Sequence, residues 1–132
     1  MRPGQKFEKR NGAEYFKRLC DPIRKSLHTA GYKFTIDRRA QKDFIELSKQ
    51  TIFSEVDYAM DIVLDTTEVK DCFRVFGLVM RIFVPIPDCF ENYISEPREN
   101  GYECLHTVLI GPEGKYVGLR IGTKEMFASN PE

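Results

Sequence analysis

Apolar residues recur at helical spacing in some stretches of the chain and alternate with polar ones in others, and the two periods predict different elements. Residues 13–20 read as a helix. Asp21-Pro22 has the form of an N-cap followed by Pro at the first helical position, which predicts a second helix to Ala30, stopped by Gly31. Tyr32 to Ile36 alternates and is aromatic and β-branched, so it predicts a strand. Ala40 to Lys49 reads as a helix with Phe44, Ile45 and Leu47 partly buried, and Tyr58 to Leu64 as a strand. Asp65 and Glu68 have the spacing of a capping box. Val69, Cys72, Phe73, Phe76, Val79, Met80 and Phe83 then form one apolar stripe, a core face ended by Pro85 and Pro87.

Residues 88–101 read as a long connection anchored by Phe90, Tyr93 and Ile94, and such a loop is usually functional. Glu103 to Ile110 is apolar on both faces, as a central strand should be. After a turn at Gly111-Pro112-Glu113-Gly114, Lys115 to Gly122 alternates. Val117, Leu119 and Ile121 share one face; Tyr116, Gly118, Arg120 and Gly122 share the other. These two strands predict an antiparallel hairpin. The fold class is α/β (α+β), a mixed β-sheet flanked by helices.

Composition narrows the function. A chain of 132 residues, 42% hydrophobic and 30% charged, is one ordinary folded domain. The 20 Lys+Arg balance the 20 Asp+Glu, which argues against a general nucleic-acid binder. The balance hides a division: residues 1–51 hold 13 Lys+Arg against 6 Asp+Glu, and residues 52–132 hold 7 against 14. A solvated surface explains this as well as a phosphate-binding half does. No run approaches the ~18 apolar residues of a membrane span, and the first residues have no signal-peptide form. Cys20, Cys72, Cys89 and Cys104 show no Cys-x-x-Cys spacing, and His28 and His106 are too far apart to suggest a metal cage. A reducing cytoplasm is the simplest compartment.

One run carries more information. Pro85-Ile86-Pro87-Asp88-Cys89-Phe90-Glu91-Asn92-Tyr93-Ile94 leads through Pro97-Arg98-Glu99-Asn100-Gly101-Tyr102 to Leu105-His106-Thr107 and Gly111-Pro112-Glu113-Gly114. It resembles the synthetase domain of the RelA/SpoT family of guanosine tetra- and pentaphosphate synthetases, whose pattern is P-x-P-x-x-F-K-D-Y-I, P-K-x-N-G-Y-x-S-L-H-T, G-P-x-G and E-V-Q-I-R-T. The resemblance implies a nucleotidyltransferase-like fold and a role in (p)ppGpp metabolism and the stringent response. It implies transfer of pyrophosphate from ATP to the 3′-hydroxyl of GDP or GTP with Mg2+, a reaction that rests on positioning and charge neutralisation. It is carried by the motif run, with the first fifty residues matching loosely, and it implies one synthetase-like domain over residues 1–132, shorter at the C-terminus than the family.

Carried over position by position, the resemblance implies a guanine-nucleotide site at Tyr102, Asn100, His106 and Arg98, with Tyr102 stacking on the base. Arg39 is the implied ATP contact, and Lys42 and Lys49 are further ATP-binding candidates in the basic half of the chain. The magnesium glutamate of E-V-Q-I-R-T falls on Gly118, and Arg120 stands two residues on. The second carboxylate belongs to a D-x-x-A-x-R pattern. Ala59 and Met60 align it with Val56 at the aspartate and Asp61 at the arginine, while a one-residue slip brings in Asp57. Asp57 and Asp61 are thus the candidate catalytic residues, with Asp57 the candidate metal ligand. Glu91 and Asn92 replace a lysine and an aspartate, Cys104 a serine, and Met80 a histidine. Three functions stay open: a weak pyrophosphokinase, a pseudo-synthetase that binds guanine nucleotide, and an interaction domain with a vestigial pocket. The sequence is silent on oligomeric state and protein partners.

Overall fold

A computed structural model describes residues 5–47 and 56–130. The first helix, α1 (Gln5–Thr29), is continuous, with Pro22 inside it. Two helices were expected here. Proline removes one backbone hydrogen bond and crowds the preceding turn. Against that, Tyr15, Leu19, Ile23 and Leu27 repeat every four residues and are almost fully buried on both sides of Pro22. The stripe needs one continuous helix to reach the sheet, and packing outweighs the local break. Gly31 ends the turn as expected, with Gly31 and Tyr32 donating to the carbonyls of His28 and Leu27.

β1 (Phe34–Arg39), α2 (Gln41–Leu47) and β2 (Tyr58–Leu64) follow. β1 starts later than expected, and Lys49 lies outside the described residues. α3 (Lys70–Met80) begins without a side-chain cap on Val69. The expected capping box does not form; instead Thr66 Oγ1 accepts from Glu68 N–H and donates to Asp71. The buried face of α3 is Cys72, Val75 and Val79, whereas Val69 and Phe73 are exposed. A short strand β3 (Val84–Pro85) precedes the long connection and β4 (Glu91–Asn92) lies within it, and Phe90 rests against Phe76. β5 (Leu105–Ile110), a 3-10 turn at Pro112–Gly114, β6 (Tyr116–Thr123) and α4 (Lys124–Ser129) complete the order.

The strands run β1-β2-β6-β5-β3, with β4 also on β5. β2 and β6 are parallel and the other pairs antiparallel, so the sheet is mixed and β5–β6 is the expected hairpin. One sheet face carries Met60, Ile62, Leu64, Val117, Leu119, Ile121, Leu105 and Leu109, packed against α1 and α3 in the main core. The opposite face carries two smaller clusters, one around Phe44, Ala59 and Val108, the other around Tyr93, Tyr102 and Cys104. All four cysteines are buried and free. Burial pushes the thiols of Cys20 and Cys72 up to about 11, so they act as small apolar groups. Among the described residues no helix is long and apolar enough to cross a membrane.

Candidate functional site

Between the two small clusters the sheet register lines up four polar side chains. Asp61 lies opposite Arg120, Arg120 opposite His106, and His106 opposite Glu91. Cross-strand partners point to the same face, so β2, β6, β5 and β4 each place one of these groups in a single row. Asp61 and His106 are 0% exposed and Arg120 is 6% exposed. Buried charges require partners, and the row supplies them.

Arg120 donates Nε to Asp61 Oδ1 and Nη2 to Asp61 Oδ2, each at 2.7 Å. This is the forked geometry in which guanidinium and carboxylate bind most strongly. Arg39, at the edge of the sheet, adds a second ion pair to Asp61 Oδ2. Phe127 of α4 covers the guanidinium of Arg120 at 5.1 Å. Burial disfavours the charge on Arg120, but the hydrogen bonds and charge of Asp61 outweigh it and its pKa rises.

Arg120 Nη1 donates to the Tyr102 hydroxyl at 2.8 Å, and that hydroxyl lies 2.6 Å from His106 Nε2. Arginine only donates, so the tyrosine proton is left for His106 Nε2. The neutral imidazole then carries its proton on Nδ1, which is buried without a hydrogen-bond partner among the described residues. Burial, then the charges of Arg120 and Arg98, lowers the His106 pKa to about 3. Burial raises that of Tyr102. Glu91 accepts a hydrogen bond from the Tyr93 hydroxyl.

The expected guanine contacts are therefore arranged differently from an open pocket. Tyr102 is 1% exposed, and its ring meets Tyr93 and His106 edge-on. Gly101 takes φ +85°, the left-handed conformation that glycine adopts without strain, in the turn leading into Tyr102. Asn100 Oδ1 accepts from the Tyr102 backbone N–H, as a turn residue does. Arg98 packs over the Tyr93 ring at 5.6 Å. Of the expected ATP contacts, Arg39 joins the row and Lys42 is exposed on α2.

The expected carboxylates do not converge. Both oxygens of Asp61 hold arginines. Asp57, just before β2, accepts from the Tyr116 backbone N–H at 2.8 Å and is exposed. Ala59 pairs with Gly118, the register that puts Asp61, not Asp57, in the row. Above Gly118 lies the Phe44 ring: a Cβ at Gly118 would sit 2.5 Å from Phe44 Cδ1 and 2.7 Å from Cγ and Cε1. The donors present do not fit a magnesium ion, which needs oxygen ligands directed at one point. Among the described residues no three His, Cys, Asp or Glu side chains lie together for a metal.

Two participants escaped the sequence reading. Phe44 read only as partly buried, and Arg120 only as the residue two positions past Gly118. A signal existed for the second: Arg120 faces inward on a strand that is otherwise small or apolar, and Asp61 interrupts an apolar strand. A buried arginine and a buried aspartate call for one another.

A family model described as a region found in RelA / SpoT proteins matches residues 48–130. A GTP pyrophosphokinase from Streptomyces coelicolor is 32% identical over 117 residues, which cover 86% of this chain and 14% of the relative. A guanosine-3′,5′-bis(diphosphate) 3′-pyrophosphohydrolase from Aquifex aeolicus is 31% identical over 127 residues, covering 92% and 18%. The chain thus spans less than a fifth of the length of these curated relatives. Among solved structures, the small alarmone synthetase 1 from Bacillus subtilis bound to its product pppGpp superposes with a TM-score of 0.59 at 17% identity, covering 97% of this chain and 83% of that one. The small alarmone synthetase 2 of the same organism gives 0.60 at 16%, covering 90% and 75%. At these identities the structural likeness is one of fold.

Proposed function

Because the chain belongs to the RelA/SpoT family, we propose that it is a catalytically silent synthetase-type domain. Its synthetase face has become internal structure. The observation that carries this reading is the double engagement of Asp61 by Arg120 and Arg39, beside a Gly118 roofed by Phe44. Pyrophosphoryl transfer needs cations free to meet phosphate oxygens and a metal held between the substrates. Here the buried guanidinium is committed to a carboxylate, and the position expected to supply a metal ligand has no side chain. A role as an interaction domain that uses the scaffold is the coarse function left.

Guanine-nucleotide binding without turnover is the second reading. It is supported by the relative of the same fold that was solved with pppGpp, and by His106 Nδ1, a buried donor with no partner among the described residues. Tyr102 and His106 would first have to be uncovered.

Incubation with ATP, magnesium and GDP or GTP tests the first reading, with separation of any 3′-pyrophosphorylated product. No product above the no-protein control is expected; catalytic product formation overturns it. Calorimetric titration with GDP and GTP tests the second reading.

A further inference from the structure

The Phe44 ring is placed as a bound ligand would be. It is 4% exposed, stacks on the His106 imidazole at 5.7 Å and 26°, and lies over the bare backbone of Gly118. Val56, Ala59, Cys89 and Val108 complete an apolar slot around it. Only glycine at position 118 lets a ring come this near the sheet, since any Cβ would meet it at 2.5 Å. The helix that carries the ring is slight. α2 has seven residues, and Gln41, Lys42 and Asp43 are exposed. Gln41 Nε2 donates to the Val56 carbonyl. A helix this short has no stability of its own, so its position depends on the ring it inserts, and such elements open locally at low cost.

We propose that Phe44 is a self-ligand: α2 docks its ring into an aromatic slot over Gly118 and against His106, and a flat heteroaromatic ring from outside competes with it for that slot. The ligand class follows from the walls. The floor is peptide backbone without a side chain, one side is an imidazole face that the pKa of about 3 keeps neutral, and the rest is apolar. Such a slot takes a planar, uncharged ring edge-deep. Binding then requires release of α2, which makes occupancy of the slot and the position of α2 two readings of one equilibrium. The inference goes beyond the reading above, because it holds whether or not the chain turns over nucleotide.

Indole, a flat neutral heteroaromatic ring, is the probe. In full-length Phe44→Ala, indole should perturb the His106 ring and Gly118 amide NMR signals and bind at least tenfold more tightly than to the parent chain. In the parent chain, saturating indole should speed amide hydrogen exchange in α2 at least tenfold while exchange in β2 and β6 stays unchanged. A folded Phe44→Ala that binds indole no better than the parent overturns the proposal. So does binding by the variant without faster α2 exchange in the parent, which would mean an engineered cavity only. If Phe44→Ala does not fold, Gly118→Ala decides: the added methyl should expel the ring and speed α2 exchange at least tenfold, and unchanged exchange overturns the proposal.

Discussion

Arg120 grips Asp61 through two parallel hydrogen bonds of 2.7 Å, from the middle of one central strand to the middle of the next. The pair carries no guarantee of net stability, since removing both charges from water costs about what their attraction returns. Losing one partner is different, because the other is left buried and charged. Asp61→Ala should therefore destabilise the domain by about 3–5 kcal/mol. The joint replacement Asp61→Leu with Arg120→Met should cost clearly less than the two single changes added together. Urea unfolding of the parent and these variants measures this, and a single-variant loss below about 1 kcal/mol would show that the pair does not organise the sheet. Arg39 is 40% exposed, so Arg39→Ala should cost at most about 1 kcal/mol.

Gly118→Glu restores the carboxylate expected from the family pattern, yet the Phe44 ring occupies its space. The substitution should destabilise by about 1–3 kcal/mol through overpacking. It should create no pyrophosphoryl transfer, because Asp61 stays committed to its arginines. Adding Phe44→Ala should recover part of that stability. Thermal melts and the product assay check both halves, and synthetase activity in Gly118→Glu alone would contradict the account.

The Tyr102 hydroxyl joins Arg120 to His106 inside the second cluster. Tyr102→Phe keeps the ring and strands both partners, so it should cost about 1–3 kcal/mol. Pro97-Arg98-Glu99-Asn100 lies outside this bond, so Asn100→Ala should lose only its turn contact, about 1 kcal/mol. Equal effects of the two changes would place the importance of this region in the loop and not in the row.

His106 titrates in the unfolded chain near the ordinary value of 6.5 and in the fold at about 3. Between those values the unfolded chain takes up a proton that the folded chain refuses. This contribution to stability is fully present above pH 6.5. It is lost as pH falls toward 3, at up to about 1.4 kcal/mol per pH unit for one proton. Urea midpoints of the parent and of His106→Gln across that window should therefore converge as pH falls. Parallel curves would mean that His106 does not titrate as its burial implies. Nitrogen chemical shifts at pH 7 should identify the neutral tautomer with its proton on Nδ1.

Much of the architecture could be read from local pattern. The alternation from Lys115 onward placed Val117, Leu119 and Ile121 on one face and Gly118, Arg120 and Gly122 on the other, and the sheet has them so. The hairpin, the strand from Tyr58 and the stop at Gly31 rest on equally local chemistry. Pattern misled where distant packing decided. The Asp21-Pro22 signal for a break is real, but Leu19 and Ile23, both fully buried, keep α1 continuous through it. The stripe from Val69 placed Phe73 in the core, whereas α3 turns Cys72, Val75 and Val79 inward.

The site divides along the same line. Which residues stand at the motif positions, and which face of a strand each side chain takes, are properties of the chain itself, because strand alternation is set within a few residues. What those residues do was decided by register. Asp61, Arg120 and His106 are far apart in sequence and meet because three strands align them. That alignment makes Asp61 the partner of an arginine, keeps His106 neutral, and leaves the bare backbone of Gly118 beneath the Phe44 ring. A carboxylate's chemistry depends on what lies within a few ångströms of it, and for these residues the fold alone sets that distance.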